Sequence, residues 1–207
     1  MKATFNVVLY TLCLLLSACS LLSPIDSSAK KSYLLMYPAK GNDSAIKKYP
    51  QHKSGTILVA TVSSVPWLDT SQMAYQKTNN QMDYFALNQW AAKPSELLQP
   101  IVVQALESSR NFKSVVFAPY SGNYDRRLDI KILDFKQDFT QHPSRYVIQL
   151  QMQLISRDTQ QIIISRNVQI EMPCPSDNPQ GGVITANQII SQFIPIWINF
   201  ANAKKLP

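Results

Sequence analysis

The sequence is poor in the residues on which most metal and catalytic centres depend. It contains two histidines and three cysteines, and neither His52 nor His142 has a second histidine at the spacing of a metal motif. Its five glycines form no glycine-rich phosphate loop and no Gly-x-Ser-x-Gly elbow. We therefore expect no metal site and no cofactor, we exclude an ATPase, and we keep an enzyme only as a remote alternative.

Acidic residues are scarce as well. The chain has 13 aspartates and glutamates against 20 lysines and arginines, which gives a formal net charge of +7 at pH 7. Asp129, Asp134 and Asp138 fall at mixed parity along one predicted strand, so they do not form a carboxylate pair aimed at one substrate atom. We expect these three carboxylates on a solvated sheet face.

The excess of positive charge is concentrated near the N-terminus. Six lysines lie between Lys30 and Lys53, with only Asp43 among them. In a secreted protein such a cluster favours anionic lipid headgroups or an acidic partner over nucleic acid. A solvated linker is the simpler interpretation of the same residues, and composition favours it.

The chain lacks an apolar run long enough to cross a membrane as a helix. The run from Thr4 to Leu16 has thirteen residues, whereas a spanning helix needs about 20. Lys2 precedes this run, and the pattern predicts a signal peptide over residues 1–18. An ordinary secretory signal with an incidental cysteine behind it is the alternative.

The signal peptide ends in Leu16-Ser17-Ala18-Cys19, which is similar to the bacterial lipobox. Small residues there fit the signal peptidase, and the cysteine receives a diacylglycerol and an N-acyl chain such as palmitate. Cys13 is a poor rival because the bulky Leu12 precedes it. Ser20 follows the lipidated cysteine in place of an aspartate, and by the sorting rule of such lipoproteins this implies transfer to the outer membrane, facing the periplasm.

Several acyl chains on Cys19 suffice to hold a protein on a bilayer without a transmembrane segment, since each buried methylene contributes about 0.8 kcal/mol. Residues 19–31 then form a lipidated N-terminus and flexible tether, and residues 32–207 form one domain. In the mature chain Cys174 is the only other cysteine, so no intramolecular disulfide can form. We expect a free thiol there, with an intermolecular bridge as the alternative.

The most informative stretch runs from Thr56 to Leu106. An apolar β-branched strand over 56–62 is followed by a corner at Val65–Asp69, and a hairpin turns at Asn79-Asn80. A helix then begins at Pro94, with apolar residues at helical spacing. These signals predict a strand, a corner, a hairpin and a helix in succession.

The rest of the chain predicts more strands and a second helix. The expected strands are Tyr33–Tyr37, Ser114–Phe117, a strand from Arg126 to Phe139 with a β-bulge near Ile132, Tyr146–Leu154 and Ile162–Met172. The last three form an antiparallel meander. Thr185 with Gln188 predicts a capping box that opens the second helix, and Pro195 predicts a kink in it. The predicted fold class is α+β: a two-layer sandwich of a mostly antiparallel sheet and two helices.

The corner with proline, leucine and aspartate, Met-Ala-Tyr-Gln at 73–76, Gln-Trp-Ala at 89–91 and the leucine-rich helix resemble the ABC-type transport auxiliary lipoproteins, in particular their PqiC-like branch. The resemblance extends from Ser32 to the C-terminus. It implies a compact domain that serves as a non-catalytic subunit of an intermembrane lipid transport system. Its implied partners are an MCE-domain protein that spans the periplasm and the inner-membrane transport complex. The resemblance leaves the lipid, its direction and homo-oligomerisation open.

Aromatic residues supply the candidate contact site. Trp67 follows Pro66, which lifts the chain out of the ladder, so Trp67, Leu68 and Asp69 are our candidate partner-binding residues. We expect Trp90, Tyr75 and Tyr84 in the core, together with the Trp197 helix. A lipid carrier with an apolar cavity between sheet and helices is the alternative function, because a cavity and a packed core look alike in sequence.

The lipobox generates the first prediction. Cys19→Ser removes the sulfur that receives the acyl chains, so we expect the variant to incorporate no radiolabelled fatty acid and to remain unprocessed or soluble. Metabolic labelling of wild type and variant checks this. Label that persists on the Cys19→Ser protein would contradict the lipoprotein interpretation.

Overall fold

The computed structural model describes residues 29–38 and 54–203. The predicted signal peptide and most of the predicted tether lie outside the described residues, as do Cys19, Ser20 and His52. The strands are β1 Lys31–Tyr33, β2 Ser54–Val59, β3 Ser63–Ser64, β4 Gln72–Gln76, β5 Met82–Trp90, β6 Phe112–Phe117, β7 Arg126–Asp138, β8 Arg145–Ser156 and β9 Ile162–Pro173. The helices are a 3₁₀ turn at Pro66–Leu68, α1 Pro94–Ser109 and α2 Pro179–Ala201.

Strand β7 is the centre of the sheet. Antiparallel β8 pairs with it along its whole length, and β9 pairs with the far side of β8. The other side of β7 receives three short strands in turn, all parallel to it: β2, then β3, then β4. Strand β6 lies outside β2, and β5 and β1 lie outside β4. The predicted meander of β7, β8 and β9 is confirmed, whereas the parallel pairings were not predicted.

A β-bulge divides β7, as the sequence predicts. The register with β8 shifts between Ile132 and Asp134, so the residues that face inward change parity at this point. Leu128, Ile130 and Ile132 are buried before the shift, and Phe135 and Gln137 are buried after it. The bulge therefore lets one long strand keep its apolar side on the core while it bends.

Helix α1 matches its prediction. Pro94 stands at the first helical position, where its missing N–H has no cost, and the helix ends at Arg110 in the left-handed conformation with φ 56°. Its buried positions recur at helical spacing and include Leu98, Val102 and Leu106.

Helix α2 begins earlier than predicted. The N-cap is Asn178, whose side-chain oxygen accepts a hydrogen bond from the Gly181 amide at 2.9 Å. Thr185 is an interior residue whose hydroxyl donates to the Gly181 carbonyl at 3.0 Å, so the predicted capping box is wrong. The helix continues past Pro195 to Ala201.

The two helices pack on the sheet and on each other, and the predicted α+β class is confirmed. Alternate residues of β8 face the helices and are buried: Tyr146, Ile148, Leu150, Met152 and Leu154. Aromatic rings continue this core across three strands, since Phe135 lies edge-on between Trp90 at 5.4 Å and Tyr146 at 5.5 Å. In α2, Phe193 stacks on Trp197 at 5.7 Å, which confirms the Trp197 helix as core.

Three local predictions need correction or completion. Strand β1 ends at Tyr33, and Leu34 to Tyr37 form no strand because the chain leaves the sheet edge there. Strand β2 ends at Val59 instead of Val62, because the chain shifts at Ala60 to enter the separate short strand β3. Cys174 has a free thiol, as predicted. Because this thiol is buried, it is not available for an intermolecular bridge.

The packing of Trp90 generates the second prediction. Its indole is fully buried against Phe135, but its Nε1 has no hydrogen-bond partner. Trp90→Ala should lower the free energy of unfolding by about 3–5 kcal/mol through the cavity it leaves. Trp90→Phe should cost much less, because it keeps a ring in place and removes the unpaired N–H. Urea melts compare the two, and equal losses would contradict this account of the site.

Candidate partner-binding site

The corner between β3 and β4 is built by backbone hydrogen bonds. The Val65 amide donates to the Ile132 carbonyl at 3.0 Å, which attaches the corner to the bulged part of β7. Pro66 has no amide to continue the ladder, so a 3₁₀ turn follows. Within it Leu68 donates to Val65 at 2.9 Å and Asp69 donates to Pro66 at 3.1 Å. The turn therefore has a defined position beside the sheet.

The three candidate residues of the corner have different surroundings. Leu68 is only 2% exposed and lies in the core, where it anchors the turn. Trp67 is half-buried, and its carbonyl accepts a hydrogen bond from the Tyr84 hydroxyl at 2.6 Å. Asp69 is exposed and pairs with Lys93 at 3.0 Å, which raises the pKa of that lysine. Any partner contact at the corner therefore falls to Trp67 and Asp69, and the binding role itself stays a prediction.

An aromatic cluster lies at the far end of the hairpin. Tyr75 packs on Phe85 with ring centroids 4.5 Å apart, and Phe139 meets both rings edge-on at 6.0 and 6.2 Å. The ammonium of Lys77 lies 5.4 Å from the Tyr75 ring centre. Tyr84 is half-buried and packs against the core, as expected in part, whereas Tyr75 is half-buried within the aromatic cluster, so the expectation that it belongs to the core is wrong.

Two ion pairs occupy β7. Arg127 pairs with Asp129 at 2.8 Å, and Lys136 pairs with Asp134 at 2.7 Å. The Asp134 side chain is 18% exposed, and burial raises its pKa despite the neighbouring lysine. The predicted solvated face is therefore wrong at Asp134, whose carboxylate is largely shielded from solvent although it lies on the face of β7 opposite Phe135. The carboxylates still form no catalytic pair.

A polar cluster joins the β7–β8 connection to the loop before α2. The Ser144 amide donates to Asp177 at 2.7 Å, and the His142 ring lies 2.9 Å from the other oxygen of that carboxylate. These bonds lower the pKa of Asp177 to about 2. In the described part of the chain no three histidine, cysteine, aspartate or glutamate side chains meet as metal ligands do. The cluster therefore fixes a loop.

Buried polar atoms behind this loop offer no reactive group to solvent. The Gln137 side chain donates to the Ser144 hydroxyl at 2.9 Å, but its oxygen and the Tyr146 hydroxyl have no partner. Burial raises the pKa of Tyr146 well above its usual value, so the phenol stays neutral. Gly182 of α2 lies against Gln137, where a Cβ would approach its oxygen to 2.5 Å. The start of α2 is therefore closely packed on β7 at this point.

The apolar space between β9 and α2 bears on the carrier alternative. It is a groove of about 230 Å³ lined mainly by apolar side chains, among them Met152, Ile164, Val168 and Phe200. Pockets that enclose small-molecule ligands usually measure about 300–1,000 Å³. The groove is therefore small for a carrier that encloses a lipid.

The fold defines a small α+β domain in which two helices pack on one sheet. The chain matches the sequence model of the family described as ABC-type transport auxiliary lipoprotein component, over residues 33–194. It therefore belongs to that family, and the resemblance inferred from its motifs is confirmed. Within 29–38 and 54–203, no helix is long and apolar enough to span a membrane.

Solved structures show the same fold. A Xanthomonas campestris protein of the DUF330 family is 19% identical, with a TM-score of 0.66 over 84% of this chain and 92% of its own. A second, uncharacterised protein is 18% identical, with a TM-score of 0.64 over 83% of this chain and 98% of its own. Among curated proteins no sequence match was found.

Two features of these surfaces were not predicted from the sequence. Phe139 completes the aromatic cluster, although it follows β7 by one residue and lies far from Tyr75 in sequence. Lys93 precedes α1 and gave no signal as the partner of Asp69. Parallel pairing of β4 with the end of β7 places Tyr75 near Phe139, so only knowledge of that pairing could have identified the cluster.

Asp177 generates the third prediction. Its folded pKa lies below the ordinary value of about 4, so its contribution to stability is complete above that value and is lost as pH falls through 4 toward 2. Asp177→Asn should therefore unfold at lower urea than wild type at pH 7, and the difference should narrow below pH 4. Urea melts at several pH values check this. A difference that does not change with pH would contradict it.

Proposed function

We propose that this protein is a lipid-anchored, non-catalytic auxiliary subunit of an ABC-type intermembrane lipid transport system, which docks an MCE-domain protein at the outer membrane. The observation that carries the proposal is membership of the auxiliary lipoprotein family over residues 33–194. The lipobox-like Leu16–Cys19 precedes that region and supports an anchor at Cys19. Ser20 supports the outer membrane as the destination.

We assign the docking role to the corner at Val65–Asp69. Leu68 is held in the core, and three backbone bonds fix the turn, so Trp67 and Asp69 are presented in one conformation. A preformed contact lowers the entropy lost on binding. Tryptophan is the residue most enriched at energetically important interface positions, and the half-buried Trp67 can bury its remaining surface against a partner.

The carrier and the enzyme receive less support. The groove between β9 and α2 is small for an enclosed lipid. Asp177 is held by His142 and by the Ser144 amide in a contact that fixes a loop. The contact surfaces thus favour an interaction subunit, which has to position a partner and does not have to hold or convert a substrate.

The fourth prediction concerns Trp67. Trp67→Ala should weaken copurification of the lipoprotein with the transport complex from detergent-solubilised membranes about thirtyfold, as loss of a hot-spot residue does. Its effect on unfolding should be about 1–2 kcal/mol, because the side chain is only half-buried. Quantitative mass spectrometry of the captured ATPase, permease and MCE components gives the first readout, and urea melts give the second.

Two variants control this experiment. Trp90→Ala should destabilise the domain more than Trp67→Ala does, yet spare binding under conditions where it remains folded, since Trp90 is buried. Lys93→Gln removes the ion pair of Asp69 without touching the tryptophan. Normal capture of the complex by Trp67→Ala would remove the corner from the binding site.

The fifth prediction tests the destination. Ser20→Asp places the acidic sorting signal after the lipidated cysteine, so we expect the variant to fractionate with the inner membrane while wild type fractionates with the outer membrane. Ser20→Asn serves as the comparison, because asparagine has nearly the same size as aspartate but carries no charge. Wild-type protein found only in the inner membrane fraction would contradict the proposed location.

A further inference from the structure

Apolar side chains are held outward where the chain enters the domain. After β1, Leu35 is 6% exposed and lies in the core, while its neighbours Leu34 and Met36 are 55% and 63% exposed. Asn187 of α2 fixes this segment, since its side chain donates to the Leu34 carbonyl at 3.3 Å and accepts from the Met36 amide at 2.8 Å. The two outward side chains are therefore held on a structured backbone.

A third exposed apolar residue belongs to the same surface. Ile184 is 44% exposed and precedes Asn187 by three residues, which places both on one side of α2. Single exposed apolar side chains need no explanation, but a group of them at one place usually marks an interaction surface. We call Leu34, Met36 and Ile184 the entry patch.

The chain next to the entry patch determines what lies within reach. Ten residue steps separate Cys19 from Ala29, about 34 Å when fully extended. Lys30 and Lys31 follow, both exposed, and no acidic residue occurs in 29–38. With Cys19 lipidated, the membrane surface therefore lies within a few nanometres of the patch, and two positive charges stand beside it.

We propose that the entry patch contacts the anionic phospholipid surface in which the protein is anchored, and so sets the orientation of the domain on the membrane. The proposal rests on the proposed lipid anchor for the position of the membrane. Apolar side chains beside lysines are the combination that binds peripheral proteins to anionic bilayers, through shallow insertion and attraction to the headgroups. Contact on this side would direct the other surfaces of the domain toward the periplasm.

A fluorescent probe on the anchored protein tests the contact. The mature lipidated chain is labelled with an environment-sensitive probe at Met36→Cys and reconstituted in phosphatidylethanolamine–phosphatidylglycerol vesicles. Cys19 is acylated and Cys174 is 4% exposed, so the label goes to the new cysteine. On vesicles, we expect the probe on the lipidated chain to emit at shorter wavelength than a reference sample. The reference is the same labelled chain with Cys19→Ala, measured in detergent-free buffer without vesicles.

Phe117 provides the matched control. It is 56% exposed and lies in β6, at the opposite end of the strand path from β1. A probe at Phe117→Cys should keep its solvent-exposed emission on the same vesicles. Equal shifts at positions 36 and 117, or no shift at position 36, would overturn the proposal. A shift at position 36 that grows with protein concentration without vesicles would overturn it too, by assigning the patch to self-association.

The chain without its anchor separates this proposal from the function it rests on. The mature chain with Cys19→Ala should still sediment weakly with phosphatidylglycerol-containing vesicles, and Leu34→Ser with Met36→Ser should lower that partition about tenfold. The double variant Lys30→Gln/Lys31→Gln should lower the binding of the unanchored chain to these anionic vesicles, but not its binding to phosphatidylcholine vesicles. Binding unaffected by the serine pair would overturn the patch whether or not Cys19 is lipidated in cells.

Discussion

The pairing of β7 with β8 is the interaction on which the rest of the structure depends. It runs from Arg126 to Asp138 without interruption except for the bulge after Ile132. One side of β7 is fully used by β8, so β2, β3 and β4 must share the other side one after another. The corner at Pro66 lies where the chain passes from β3 to β4, and its position beside the bulge follows from this division.

The same pairing positions the second layer. The inward residues of β7 and β8 make the floor on which α1 and α2 pack, and Gly182 permits α2 to approach Gln137 closely. Asp177 holds the β7–β8 connection against the start of α2 through its bonds to His142 and Ser144. These contacts belong to one continuous core.

Much of this fold was predictable from local signals. The alternation in β8, the parity change at Ile132 and the proline start of α1 each reflect a rule that acts within a few residues. The start of α2 was missed because Gly181 and Gly182 are poor helix formers, and the helix extends there because tertiary packing and the Asn178 cap outweigh propensity. The parallel pairings, the aromatic cluster and the burial of Asp134 depend on strand order, which periodicity does not encode. The lipobox differs from these features, because the sequence motif alone predicts its chemistry and strand order has no part in it.

We propose that the fixed corner of the membrane-anchored domain docks a transport partner. In-cell photocrosslinking tests it most directly, with a photoreactive amino acid at exposed Asp69 and, as comparison, at exposed Gln169 on the outer strand β9. We expect a crosslink from position 69, and not from position 169, to the MCE-domain component of an ABC-type transport system. Crosslinks from 169 alone, or from 69 only to unrelated proteins, would contradict it.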